Sequence, residues 1–189
     1  MRSLVFGPVP WLVPGVLVWV LIGLVAARRL GHALNVRGLV AFAMIVSFGF
    51  IVSTTLTPLR GALELGASGA GSCDVSRIAP LPPLLWLRLS EPTLNIAMFI
   101  PLGLTVALVP RSRIKMVLVV AALAMPFAIE LIQLNATILA RGCESADVID
   151  NLSGLLVGLG IGTLLVWLGP DRPTGDSTSG GADPGGYGE

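Results

Sequence analysis

Apolar residues fall into five long runs along the chain, each closed by charges, proline or glycine. They cover roughly Trp11 to Ala27, Leu39 to Leu56, Leu94 to Val109, Met116 to Leu134 and Val148 to Leu168. Runs of this length with few or no charges are what an α-helix needs to cross the hydrocarbon core of a bilayer. The pattern therefore predicts an all-α integral membrane protein, a bundle of five transmembrane helices. The third run is short and carries Pro101, and the fourth carries Pro126.

The segments between the runs complete the picture. A loop to about Pro92 is glycine-rich from Gly61 to Gly71 and contains Cys73, and its Leu84–Leu89 stretch is expected to lie in the membrane interface as a short amphipathic turn. After Gly169-Pro170 the chain is a mixture of Gly, Pro, Asp, Ser and Thr with too little apolar surface to fold. Residues 1–168 are thus expected to form the membrane domain and 169–189 a disordered tail. The first run is expected to be a span and not a cleaved signal: Pro8, Pro10 and Pro14 interrupt it, and it leads into Arg28-Arg29 with no small-residue cleavage site.

Composition agrees, with 54% hydrophobic and 12% charged residues, where a soluble domain has about a quarter charged. No basic cluster argues for a nucleic-acid partner. Two cysteines are too few for a disulfide framework and lack metal-site spacing, so neither a metal nor a cofactor is expected.

Orientation follows from where Lys and Arg concentrate in short loops. Arg28, Arg29 and Arg37 follow the first run; Arg111, Arg113 and Lys115 join the third to the fourth. Both groups belong on the cytoplasmic side, which places the N-terminus outside and the tail inside. Cys73 and Cys143 then fall in two external loops, where an oxidising surrounding permits a bond between them.

The same topology gathers polar residues in one external layer. Asn95 opens the third span, Glu130 and Gln133 close the fourth, Arg141 sits in the following loop, and Asp147 and Asn151 open the fifth. Asp147, Asn151, Gly154, Gly158 and Gly162 recur at steps of three or four and form one helical stripe. The three glycines are overlapping small-xxx-small steps that let a neighbouring helix come close. Two readings of the layer stand side by side. Arg141 with the acids is a structural ion pair and Asn95 a cap with Thr93, or the layer is a site, since ionisable groups at membrane depth are expensive and usually functional.

These residues carry a family resemblance. Asn95-Ile-Ala-Met-Phe99-Ile-Pro101-Leu-Gly103, Glu130-x-x-Gln133, Arg141 and Asp147-x-x-x-Asn151-x-x-Gly154-x-x-x-Gly158 resemble the signature of the VanZ-like family of bacterial membrane proteins over residues 94–162. Asp150 and Cys143-Glu144 depart from that pattern. The resemblance implies a multi-pass plasma-membrane protein at the cell envelope, of the kind named for resistance to teicoplanin-type glycopeptides.

Three functions compete at this stage. One is a non-catalytic envelope protein whose outward polar cluster binds a lipid-linked cell-wall precursor or a glycopeptide. The second is an enzyme on a lipid-linked precursor, with Glu130 or Asp147 as general base and Arg141 holding a phosphate. The third is a purely structural scaffold among membrane lipids, with the cluster serving only as helix glue.

Overall fold

The computed structural model describes residues 9–59, 72–86, 88 and 90–169 of the chain. Among these residues are five α-helices in the places the apolar runs predict: α1 Leu12–Leu34, α2 Gly38–Thr55, α3 Glu91–Ala107, α4 Arg113–Asn135 and α5 Ser145–Leu168. Four of them, α1, α2, α4 and α5, are long and apolar enough to cross a membrane, while α3 is shorter at 17 residues. The helical form is what a chain in hydrocarbon requires, because every backbone N–H and C=O must find its partner within the segment.

Helices α3, α4 and α5 each begin a few residues before their apolar runs, at Glu91, Arg113 and Ser145, and α1 ends well beyond its own. Helix α1 does not stop at Arg28-Arg29 but runs on to Leu34, where Asn35 takes a left-handed conformation (φ 53°) and turns the chain. Charges mark where a span leaves hydrocarbon, and a helix can continue into water beyond them. Helix α3 begins at Glu91, so Asn95 lies inside it and is no cap. The start is marked instead by Ser90 and Thr93, whose hydroxyls are 2.9 Å apart. In the loop before α3, a single 3₁₀ turn covers Pro83–Leu85; the rest of the expected amphipathic turn includes Leu87 and Leu89, which lie outside the described residues, as do Gly61–Gly71 and residues 170–189.

The helices pack as two pairs joined through α3. Helices α1 and α2 meet along small residues: a Cβ at Gly49 would fall 1.9 Å from the Trp19 ring, and one at Gly15 would fall 2.5 Å from Ser53 Oγ. Trp19 and Phe48 stack edge to face at 5.4 Å. The closest pair is α3 with α5. A Cβ on Gly154 would lie 2.0 Å from the Ile96 carbonyl oxygen, and one on Gly158 2.1 Å from that of Ile100. Gly103 of α3 returns the relationship, 2.3 Å from the Leu155 carbonyl. The backbones touch, and only glycine permits it. Phe99, Ile51, Val106 and Leu155 fill the core beside this contact, and α4 covers it with Ile129 and Ala122.

Beyond the helices, a pair of two-residue strands, β1 Cys73–Asp74 and β2 Cys143–Glu144, runs parallel, with Cys73 opposite Cys143 and Asp74 opposite Glu144. The two cysteines form a disulfide across a sequence separation of 70. It ties the loop before α3 to the loop before α5.

Candidate functional site

The end of α2, the start of α3, the end of α4 and the start of α5 meet at one end of the bundle, and the polar residues singled out from the sequence collect there. Asn95 of α3 donates its side-chain N–H to Asp147 of α5 at 2.7 Å. This bond continues the close glycine contact of the same two helices upward, since Gly154 sits two turns below Asp147 on the same stripe. Glu130 is 5% exposed, and its Oε2 accepts the backbone N–H of Glu144 at 2.8 Å. Gln133, one turn on, donates to the Thr55 carbonyl at the end of α2 at 2.9 Å. The pair therefore points two ways, Glu130 toward α5 and Gln133 toward α2.

Arg141 does not form the ion pair expected of it. Its Nε donates to the Thr57 carbonyl at 3.3 Å and its guanidinium to that of Thr54, so it finishes the last turn of α2. A helix C-terminus offers unpaired carbonyls and partial negative charge, which suits a guanidinium. Burial lowers its pKa from the ordinary arginine value, and Asp147 acts on it electrostatically in the opposite sense. Ala140, directly before it, is held in the left-handed region (φ 49°). That conformation costs an alanine about 1–2 kcal/mol, a local strain that the surrounding contacts sustain while Arg141 faces α2.

The ion pair of this region joins Arg77 to Asp150 instead. Both terminal nitrogens of Arg77 reach the carboxylate, one at 3.1 Å, and Asp150 is fully buried. The hydrogen bond to Asp150 raises the Arg77 pKa above its ordinary value. Ser145 Oγ donates to the Arg77 carbonyl at 2.8 Å, so side chain and backbone of the loop are both fastened to the start of α5. Sequence reasoning missed Arg77, a single charge in the long loop before α3 with no motif around it. The signal that could have found it was Asp150: an extra acid on an otherwise apolar helix requires a partner.

Asn151 is 2% exposed and its Oδ1 has no hydrogen-bond partner among the described residues. A groove of 280 Å³ opens on the flank between α4 and α5, lined by Phe127, Glu130, Leu131, Leu134, Ser145 and Val148 and edged by Cys73, Val75, Cys143 and Glu144. Helix α3 does not line it. Pro126 is buried within α4, whose helix runs on unbroken past it. Among the described residues no three His, Cys, Asp or Glu side chains come together as a metal site.

No curated protein and no solved structure matches this chain. Residues 40–166, from the start of α2 to near the end of α5, match the family model described as VanZ/LLP1, and the chain belongs to that family.

Proposed function

We propose that this protein is a five-span plasma-membrane protein, with its N-terminus outside and residues 169–189 in the cytoplasm. In this reading its outward polar layer binds a ligand at the cell envelope and lowers susceptibility to lipophilic glycopeptides of the teicoplanin type. Residues 1–168 are the membrane domain, and α3, at 17 residues, is its shortest span. The basic residues at one end of the bundle support the orientation. Arg28, Arg29, Arg111 and Arg113 lie toward the end of the bundle opposite the polar layer. There Lys115 Nζ donates to the Ala107 carbonyl at 2.6 Å and closes the α3–α4 hairpin.

The observation that carries the reading is the Asn95–Asp147 hydrogen bond beside the unpartnered Oδ1 of Asn151. An amide and an acid share one helix interface, and a buried acceptor next to them has no partner of its own. An acceptor left so costs about 1–3 kcal/mol, which a bound donor would offset. The ligand class in this reading is a lipid-linked cell-wall precursor or the glycopeptide itself. The enzymatic alternative loses support, because Arg141 is committed to the carbonyls of α2 and does not stand ready for a phosphate.

The test overexpresses the full chain and measures teicoplanin susceptibility beside the abundance of membrane-extracted protein. Asp147→Asn keeps an oxygen that accepts from Asn95 and removes only the charge. The expected result is parental abundance with lost protection. If Asp147→Asn protects as well as the parent at equal abundance, the polar layer is not the site.

A further inference from the structure

We propose that the flank groove between α4 and α5 is a lipid site selective for a head group bearing an amine with free N–H. The inference rests on the membrane placement above but on no part of the glycopeptide reading. Its head is Glu130, nine-tenths buried and yet lining the groove. Oε2 is held by the Glu144 N–H, while Oε1 takes no hydrogen bond among the described residues. Glu130 lies five residues before the end of α4, about 7 Å along the helix axis. That depth suits the boundary between head groups and acyl chains.

The rim has one sign of charge. Glu144 lines the groove and is exposed, and Asp74 stands opposite it in the strand pair. The nearby cations are engaged elsewhere: Arg77 with Asp150, Arg141 with the end of α2. The charged residues that line the groove itself are two acids, Glu130 and Glu144, so an anionic head would meet carboxylates first, although Arg77 acts electrostatically on Glu144 from beside the groove. An ammonium, with three N–H donors and a positive charge, matches both the free oxygen and the rim.

Around the head the groove is hydrocarbon, with Leu131 and Leu134 on the outer side of Glu130 and Phe127 on the inner side. Phe127 and Leu131 are one turn apart on α4 and 57% and 61% exposed, and Val120 continues the same face at 60%. An acyl chain laid along this stripe would cover all three. The volume of 280 Å³ is just below the usual range for a small-molecule site, enough for a head group and the upper part of one chain. The Cys73–Cys143 bond fixes the rim, so little ordering is left for a ligand to impose.

The test equilibrates purified full-length protein with vesicles of phosphatidylethanolamine, phosphatidylcholine and phosphatidylglycerol in equal parts, and reads retained lipid by native mass spectrometry. Phosphatidylethanolamine should be retained roughly tenfold over the other two, the selectivity of one charge-assisted hydrogen bond. Glu130→Gln should abolish the preference. Glu144→Gln, on the exposed rim, should weaken it, and Leu131→Trp, on the lipid-facing flank, should reduce retention by filling the groove. Equal retention of the three lipids overturns the proposal, as does parental preference in folded Glu130→Gln or parental retention of phosphatidylethanolamine in Leu131→Trp. If Glu130→Gln does not fold, the Leu131→Trp result decides. Teicoplanin protection is read separately: parental protection in Asp147→Asn with intact lipid preference overturns only the reading above, and lost protection in Asp147→Asn with equal retention of the three lipids overturns only this one.

Discussion

Arg77 and Asp150 stand 73 positions apart in the chain and form the ion pair that fastens the loop before α3 to the buried side of α5. The carboxylate is fully buried while the guanidinium is 31% exposed, so the two partners are not equivalent. Removing the guanidinium leaves a buried charge alone, which costs about 3–5 kcal/mol. Arg77→Gln should therefore sharply lower the midpoint of thermal unfolding in detergent. Asp150→Asn added to it should recover part of the loss, because the uncompensated charge is gone. Equal midpoints for Arg77→Gln and the parent would show that the pair contributes nothing.

The glycine contact makes an opposed pair of predictions on one helix. Gly158→Ala places a methyl 2.1 Å from a backbone oxygen of α3, and overpacking of this kind costs about 1–3 kcal/mol. Gly160 has nothing within 4 Å of an added Cβ, so Gly160→Ala should be neutral or, through helix propensity, stabilising by up to about 1 kcal/mol. Thermal unfolding of the two variants side by side tests both. Equal effects would mean that α3 and α5 do not touch through this stripe.

The disulfide should appear as a mobility shift between reduced and non-reduced gels of alkylated protein. In the chain-entropy account a closure of this length contributes about 4 kcal/mol. The Cys73→Ser, Cys143→Ser double variant should unfold at correspondingly lower temperature. Free thiols at both positions after denaturing alkylation without reductant would refute the bond.

Topology is tested by single cysteines at Ser112 and Ser177 in a version without the native pair. Both should be shielded from an impermeant thiol reagent in intact cells and labelled after permeabilisation. Labelling of either in intact cells would invert the proposed orientation.

Helices were the most legible part of the sequence, because a bilayer-length apolar run has few alternatives. The α3–α5 contact was legible too: Gly154, Gly158 and Gly162 state that something comes close, and α3 is what does. The pairing inside the polar layer was not. Asn95, Glu130, Gln133, Arg141 and Asp147 do share one end of the bundle, but hydrogen-bond partners depend on angles that spacing does not encode. Arg141 illustrates it: the acids nearest in sequence lose to the carbonyls of Thr54 and Thr57, more than eighty residues earlier. Backbone acceptors carry no letter in a sequence.

The bond between Cys73 and Cys143 also has a topological meaning. It turns the chain between them into a closed ring that carries α3 and α4 whole, with the Lys115–Ala107 hairpin at its far end, and leaves α1, α2 and α5 as arms outside it. A single cut in the ring opens it without releasing either piece. The two helices that supply Asn95 and Glu130 thus stay parts of one covalent object even when the backbone between them is severed.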